Sequence, residues 1–229
     1  GYSADNLSAM VEKVTSGATS ALGRIKISGY DSSKLTSMVE KVTAGATASL
    51  GKIKMDGYDA GDLSGMLEKV TAGATAALGN IEMDGFSADN LSSMVEKVTF
   101  GATAALSRIQ MNGFSSDNLT SMIENVKTGV KGSLNKIKME GYDPNNKPAD
   151  LENSVSTGAS NGLGKQPPML KEITTVNTPT SETTPSYAFN SNKSGNITYG
   201  GSCTSSTTTA SIGNNTISFN TLKAGTYSD

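Results

Sequence analysis

The chain repeats itself every 28 residues. Gly1 opens GYSADNLSAMVEKVTSGATSALGRIKIS, and Gly29, Gly57, Gly85 and Gly113 open close copies of it. Self-similarity at a fixed period of this size predicts an array of one supersecondary unit, each burying its apolar face on its neighbours. An array of equal units has no unique position, so it favours a scaffold, spacer or extended binding surface over a catalytic pocket.

Each copy carries the helical period. In the first, Leu7, Met10, Val11, Val14, Ala18, Ala21, Leu22 and Ile25 recur at steps of three, four and one, which is an amphipathic stripe and not strand alternation. Ser3, Asp31, Asp59, Ser87 and Ser115 stand at one fixed place before the stripe, as N-cap acceptors for the first-turn N–H groups. Asp5, Asp62, Asp89 and Asp117 add negative charge there, and Arg24/Lys26, Lys52/Lys54 and Lys136/Lys138 place positive charge toward the far end. The next glycine is then expected to provide a left-handed C-terminal cap, and the aromatic after it (Tyr2, Tyr30, Tyr58, Phe86, Phe114) to staple the following helix. On this reading about two residues link successive helices, which makes neighbours antiparallel.

Gly17, Gly45, Gly73, Gly101 and Gly129 fall in mid-stripe. They leave two alternatives open: one helix of about 22 residues per copy, or a helical hairpin. A degenerate sixth copy begins at Gly141, where Pro144 and Pro148 interrupt the pattern, and serves to finish the stack. The array thus spans residues 1–165.

From Gln166 the texture changes. Residues 166–186 are rich in Thr, Pro and Ser and read as an extended linker. Residues 187–229 alternate over short stretches, Tyr187–Phe189, Ile197–Tyr199 and Thr216–Phe219, separated by Gly and Asn turns, a β pattern. The expected class is mainly α: an antiparallel α-helical repeat array, then a linker, then a partial β-sandwich.

Composition narrows the chemistry. The net charge of −2 offers no basic surplus for phosphate, which argues against nucleic acid. Histidine is absent, which removes His-based triads and the commonest metal ligand. One cysteine, Cys203, permits no intrachain disulfide. The acidic turn Asp56, Asp59, Asp62 lacks the alternating ligand spacing of a calcium loop, and capping accounts for it better. Met10, Met38, Met66, Met94 and Met122 lie on the stripe as core filler. No phosphate-binding loop or nucleophile elbow is present, so neither cofactor nor enzymatic activity is expected.

The segments SYAFNSNKSGNITYGGSC, IGNNTISFNTL and AGTYSD resemble the first half of bacterial Ig-like domains of long secreted or surface-anchored proteins, over roughly residues 177–229. The 28-residue copies also look like repeats that accompany such modules in bacterial envelope proteins. Both ends read as cut. The resemblance implies a modular protein exported to the cell envelope or the extracellular space. Its partners would be a surface or matrix ligand, or other copies through the repeats. Cys203 would await a partner in a segment beyond this chain. The alternative is a lipid- or surface-binding set of amphipathic helices, against which the regular Gly-aromatic turns count.

The cap assignment makes a direct prediction. Asp59→Ala is expected to cost about 1 kcal/mol in a denaturant melt, and no loss would place the helix start elsewhere.

Overall fold

The computed structural model describes residues 4–26, 28–54, 57–83, 86–109, 116–145, 149–176, 181–201, 203–223 and 225. It is mainly helical, with a small antiparallel sheet near the C-terminus. The chain divides into two compact units, Gly1–Gln166 and Pro167–Asp229.

The first unit holds α1 (Ala4–Leu22), α2 (Ser32–Leu50), α3 (Ala60–Ala77), α4 (Leu91–Ala105), α5 (Ser116–Leu134) and α6 (Ala149–Gly164). A 3-10 turn, Ala88–Asn90, leads into α4, and others follow α3 and α4 at Leu78–Asn80 and Leu106–Arg108. One helix runs through each mid-stripe glycine, so the hairpin alternative falls away. These helices are shorter than expected because the chain leaves the helix after Leu22, Leu50 and their equivalents. The next isoleucine is extended, with Ile81 at φ −80° and ψ 114°. Ile81, Ile109 and Ile137 turn back and are buried.

The links are therefore long: Gly23–Asp31 separates α1 from α2. This corrects the expected two-residue connection and moves Lys26, Lys52, Lys54, Lys136 and Lys138 off the helix ends. Gly29, Gly57 and Gly141 do adopt φ of 76°, 79° and 80°. They turn the link, however, and do not cap a helix; Gly51, the C-cap of α2, is right-handed.

The aromatic after that glycine has a role that apolar patterning does not show. The Tyr30, Tyr58 and Tyr142 hydroxyls donate to the carbonyls of Leu22, Leu50 and Leu134 at 3.0, 3.2 and 3.2 Å. Each tyrosine thus reaches back to a carbonyl at the end of the helix before it, as a second donor beside the N–H of Ile25, Ile53 or Ile137.

Long links let each helix choose partners other than its sequence neighbour. Packing is heaviest between alternate helices, in two rows, α1–α3–α5 and α2–α4–α6, with lighter contact between consecutive ones. The core runs between the rows and includes Leu35, Val39, Leu78, Met94, Val98, Val130, Leu134 and Val155. Leu63 and Leu91 are buried, as the stripe requires.

The second unit is thinner. β1 (Leu170–Thr174), β2 (Ser186–Ser191) and β5 (Gly213–Ser218) form an antiparallel sheet in the order β1-β2-β5, and β3 (Gly195–Asn196) pairs with β4 (Thr209–Ala210). β1 lies inside the stretch read as linker. Its five side chains are all exposed, so no burial alternation marked it, and ladder bonds to β2 hold it. Among the described residues of this unit the buried apolar side chains are Pro185, Phe189 and Ile217.

The tyrosine bonds predict an alkaline weakness. Burial raises the Tyr58 hydroxyl above its ordinary pKa of 10.0, with the charge of Asp62 adding to the effect. Burial likewise raises Tyr30, and burial followed by Asp143 raises Tyr142. A raised acid leaves stability intact below the unfolded value. Above it the unfolded chain ionises first, and stability falls as pH climbs toward the folded value. Tyr58→Phe keeps the ring but removes the donor, and is expected to cost about 0.5–1.5 kcal/mol near neutrality. Urea melts near pH 7 and about pH 11 should show a smaller loss between the two pH values in Tyr58→Phe than in the parent.

Candidate functional site

The surface with the most specific construction is the seam between alternate helices. Glycine in mid-helix costs about 1 kcal/mol relative to alanine, yet it recurs there in every copy. Close approach of the backbones explains why. A Cβ on Gly101 of α4 would lie 2.5 Å from the Glu40 carbonyl oxygen of α2, closer than real Cβ contacts allow. Gly73 meets the carbonyl of Glu12 in the same way, Gly129 that of Glu68, and Gly158 that of Glu96. Four glycines therefore dock on four glutamate carbonyls of the helix two places earlier. Only hydrogen fits between, so the two backbones gain dispersion contact along the crossing.

Threonines flank the crossing. Thr15, Thr43, Thr71 and Thr99 are buried and donate to the carbonyls of Val11, Val39, Leu67 and Val95, four residues back in their own helices, at 2.8–2.9 Å. Satisfying the hydroxyl within its own helix lets a polar residue sit on a dry face. Thr19, Thr47, Thr75 and Thr103 are also buried, but their hydroxyls make no hydrogen bond. They act as small packing groups, and the unbonded hydroxyls cost stability.

Charge crosses the seam at its rim. Lys69 of α3 pairs with Glu12 of α1 at 3.7 Å, and Lys97 of α4 with Glu40 of α2 at 3.1 Å. The Val-Glu-Lys-Val run is thus an inter-helix contact as well as a solvated face. Asn125 of α5 donates to the Ser64 hydroxyl of α3, and the buried Gln166 donates through Nε2 to the Thr103 carbonyl.

The two ends of the rows differ. At α5 the threonine positions of the seam are Lys127 and Lys131, which pair with Glu124 at 2.7 Å and Glu152 at 3.8 Å. These bulky cations leave no recess for a further glycine. At α1 the same seam lies open. Met10 is 46% and Val14 67% exposed, whereas Met66, Met94, Val70 and Val98 are all 0% exposed. Nothing lies within 4 Å of a Cβ placed on Gly17 or Gly45.

Of the cap residues, Asp31 accepts from the Lys34 N–H at 2.9 Å. Asp59 accepts from the Gly61 and Asp62 N–H groups at 2.7 and 3.1 Å, while Asp62 accepts from the Asp59 N–H. Asp59 and Asp62 of the acidic turn are therefore spent on a capping box. At Ser87 it is the backbone N–H that donates, to Asn90 Oδ1 at 2.9 Å. Ser3, Ser115 and Asp56 lie outside the described residues. Cys203 is a half-buried free thiol.

Elsewhere the surface offers little concavity. An open groove of about 450 Å³ between α2 and α4 is lined by Ser32, Ser33, Thr36, Ser37 and Ser93, with the Glu40–Lys97 pair at its side. Among the described residues no group of three His, Cys, Asp or Glu side chains could hold a metal. Nor is any described helix long and apolar enough to cross a membrane. No protein-family model matches the chain, and no curated protein matches it at a significant level of sequence similarity.

The seam predicts opposite signs for one substitution at equivalent positions. Gly101→Ala forces α2 and α4 apart and is expected to cost about 1–3 kcal/mol. Gly45→Ala meets open space and should gain about 0.5–1 kcal/mol from helix propensity. Denaturant melts of the two variants check this; equal effects would show that the glycine contact does not set the crossing.

Proposed function

We propose that this chain is a non-enzymatic structural or adhesive module of the bacterial cell surface or secreted fraction. It acts as a spacer or scaffold: a repeat array of 28-residue helical units followed by part of an Ig-like β domain. The observation that carries the reading is the recurrence of one glycine-on-carbonyl crossing at Gly73, Gly101, Gly129 and Gly158. Equal crossings between equal units set a distance that scales with the number of units, and they spread any ligand contact over many copies.

Three features support it. Lys127 and Lys131 give the array a polar finish, as terminal repeats need for solubility. Asp31, Asp59 and Asp62 are engaged in caps rather than grouped for chemistry. The antiparallel strands of the second unit fit the sheet of an Ig-like module, in which Cys203 pairs with a segment outside this chain. A surface or matrix ligand, or other copies of the repeats, are the partners this reading favours; nucleic acid is not.

Exposed Met10 and Val14 also favour the rival, helices that lie on a lipid surface. Far-UV circular dichroism with and without anionic vesicles separates the two. The scaffold reading expects full helicity in buffer and no change on adding lipid. Helix that forms only on vesicles would overturn it.

A further inference from the structure

The open seam at α1 and α2 is a docking surface, and the seams already filled in this molecule specify its occupant. We infer that this face takes a further pair of helices of the same 28-residue type, joined in tandem ahead of α1. The inference rests on the array reading above.

Four properties of the filled seams recur here without a partner. Met10 and Val14 present an apolar strip whose equivalents in α3 and α4 are fully buried. Gly17 and Gly45 hold the positions at which Gly73 and Gly101 receive a carbonyl, and nothing is near them. Lys13 and Lys41 match Lys69 and Lys97, which reach a glutamate on the helix two places earlier, but have no ion pair among the described residues. Ala18 is exposed where Ala74 and Ala102 are buried. Apolar strip, recess and charge thus ask for one complement: a helix with a glutamate carbonyl between two small residues, and a carboxylate at the rim. That is the face Glu-Lys-Val-Thr presents in α1, α2, α3 and α4.

A second copy supplies this complement poorly. Its own glutamate-carbonyl faces in α1 to α4 are already covered by α3 to α6. Of the two remaining candidates, α5 carries Lys127 and Lys131 in place of the threonines, and α6 carries Asn153 in place of the glutamate. A tandem pair has no such obstacle, because Asp84 joined to Gly1 reproduces the Asp56–Gly57 link.

The test compares the full chain with an extended one in which residues 29–84 are duplicated ahead of Gly1. Both are exposed to hydrogen peroxide, and methionine oxidation is followed by mass spectrometry. In the parent chain Met10 should oxidise fast and Met66 slowly. In the extended chain Met10 should slow to the rate of Met66. Gly17→Leu, harmless in the parent, should restore fast oxidation of Met10 in the extended chain, because the side chain meets the incoming carbonyl.

Fast oxidation of Met10 in an extended chain of full helicity would overturn the inference and leave the array reading standing. An extended chain whose added residues stay non-helical would overturn both. Concentration-dependent protection of Met10 in the parent, with a dimer mass in sedimentation, would assign the face to a second copy. Protection only on vesicles would assign it to lipid. Either result overturns the tandem occupant.

Discussion

A glycine α-carbon against a glutamate carbonyl, repeated at four crossings, fixes the spacing of every helix in the first unit. With any larger residue the alternate helices would stand further apart. The flanking threonines would then face a gap, and Lys69 and Lys97 would lose their reach to Glu12 and Glu40. The surface ion pairs are individually worth little. The close backbone approach and the burial of Met66, Val70, Met94 and Val98 hold the rows together. The helix propensity lost at each glycine, about 1 kcal/mol, is the cost of that approach.

The rest of the unit is arranged around this spacing. Long links are needed because a chain joining sequence neighbours cannot place alternate helices side by side through a two-residue turn. The left-handed glycines and the tyrosine hydroxyls stabilise those links where regular structure stops. Thr15, Thr43, Thr71 and Thr99 keep polar atoms on a dry face by bonding within their own helix. The threonines one turn later, Thr19, Thr47, Thr75 and Thr103, make no such bond and remain as the imperfect element of the seam.

Much of this was legible in the sequence, for identifiable reasons. The 28-residue period and the apolar steps mark helices over the stripes, and the fixed Ser or Asp before each stripe marks where they begin; Asp31 and Asp59 cap α2 and α3. The helix ends were not legible, because Ile25 and its equivalents continue the helical phase while packing from an extended backbone. Neither was the pairing of alternate helices, since amphipathic stripes say which face is buried and nothing of what covers it. The close approach at Gly73 was foreshadowed by the small residues around it, but only coordinates show which carbonyl it meets. Tyrosine as a back-reaching donor is disguised as an apolar staple, because Phe86 occupies the same place without a hydroxyl. β1 escaped notice because edge strands with exposed side chains carry no alternation to read.

The contacts of α3 with both α1 and α5, and of α4 with both α2 and α6, interlace the two rows. In a simple stack each unit is bonded to the next, and the end unit can peel away alone. Here the last unit to leave is bonded to its second neighbour, across an intervening helix that belongs to the other row. Unravelling from either end must therefore loosen both rows in alternation, much as staggered courses of brick resist the removal of one column. A terminal helix that leaves breaks one such crossing and uncovers a face of its second neighbour, so load applied along the chain passes from one row to the other in turn.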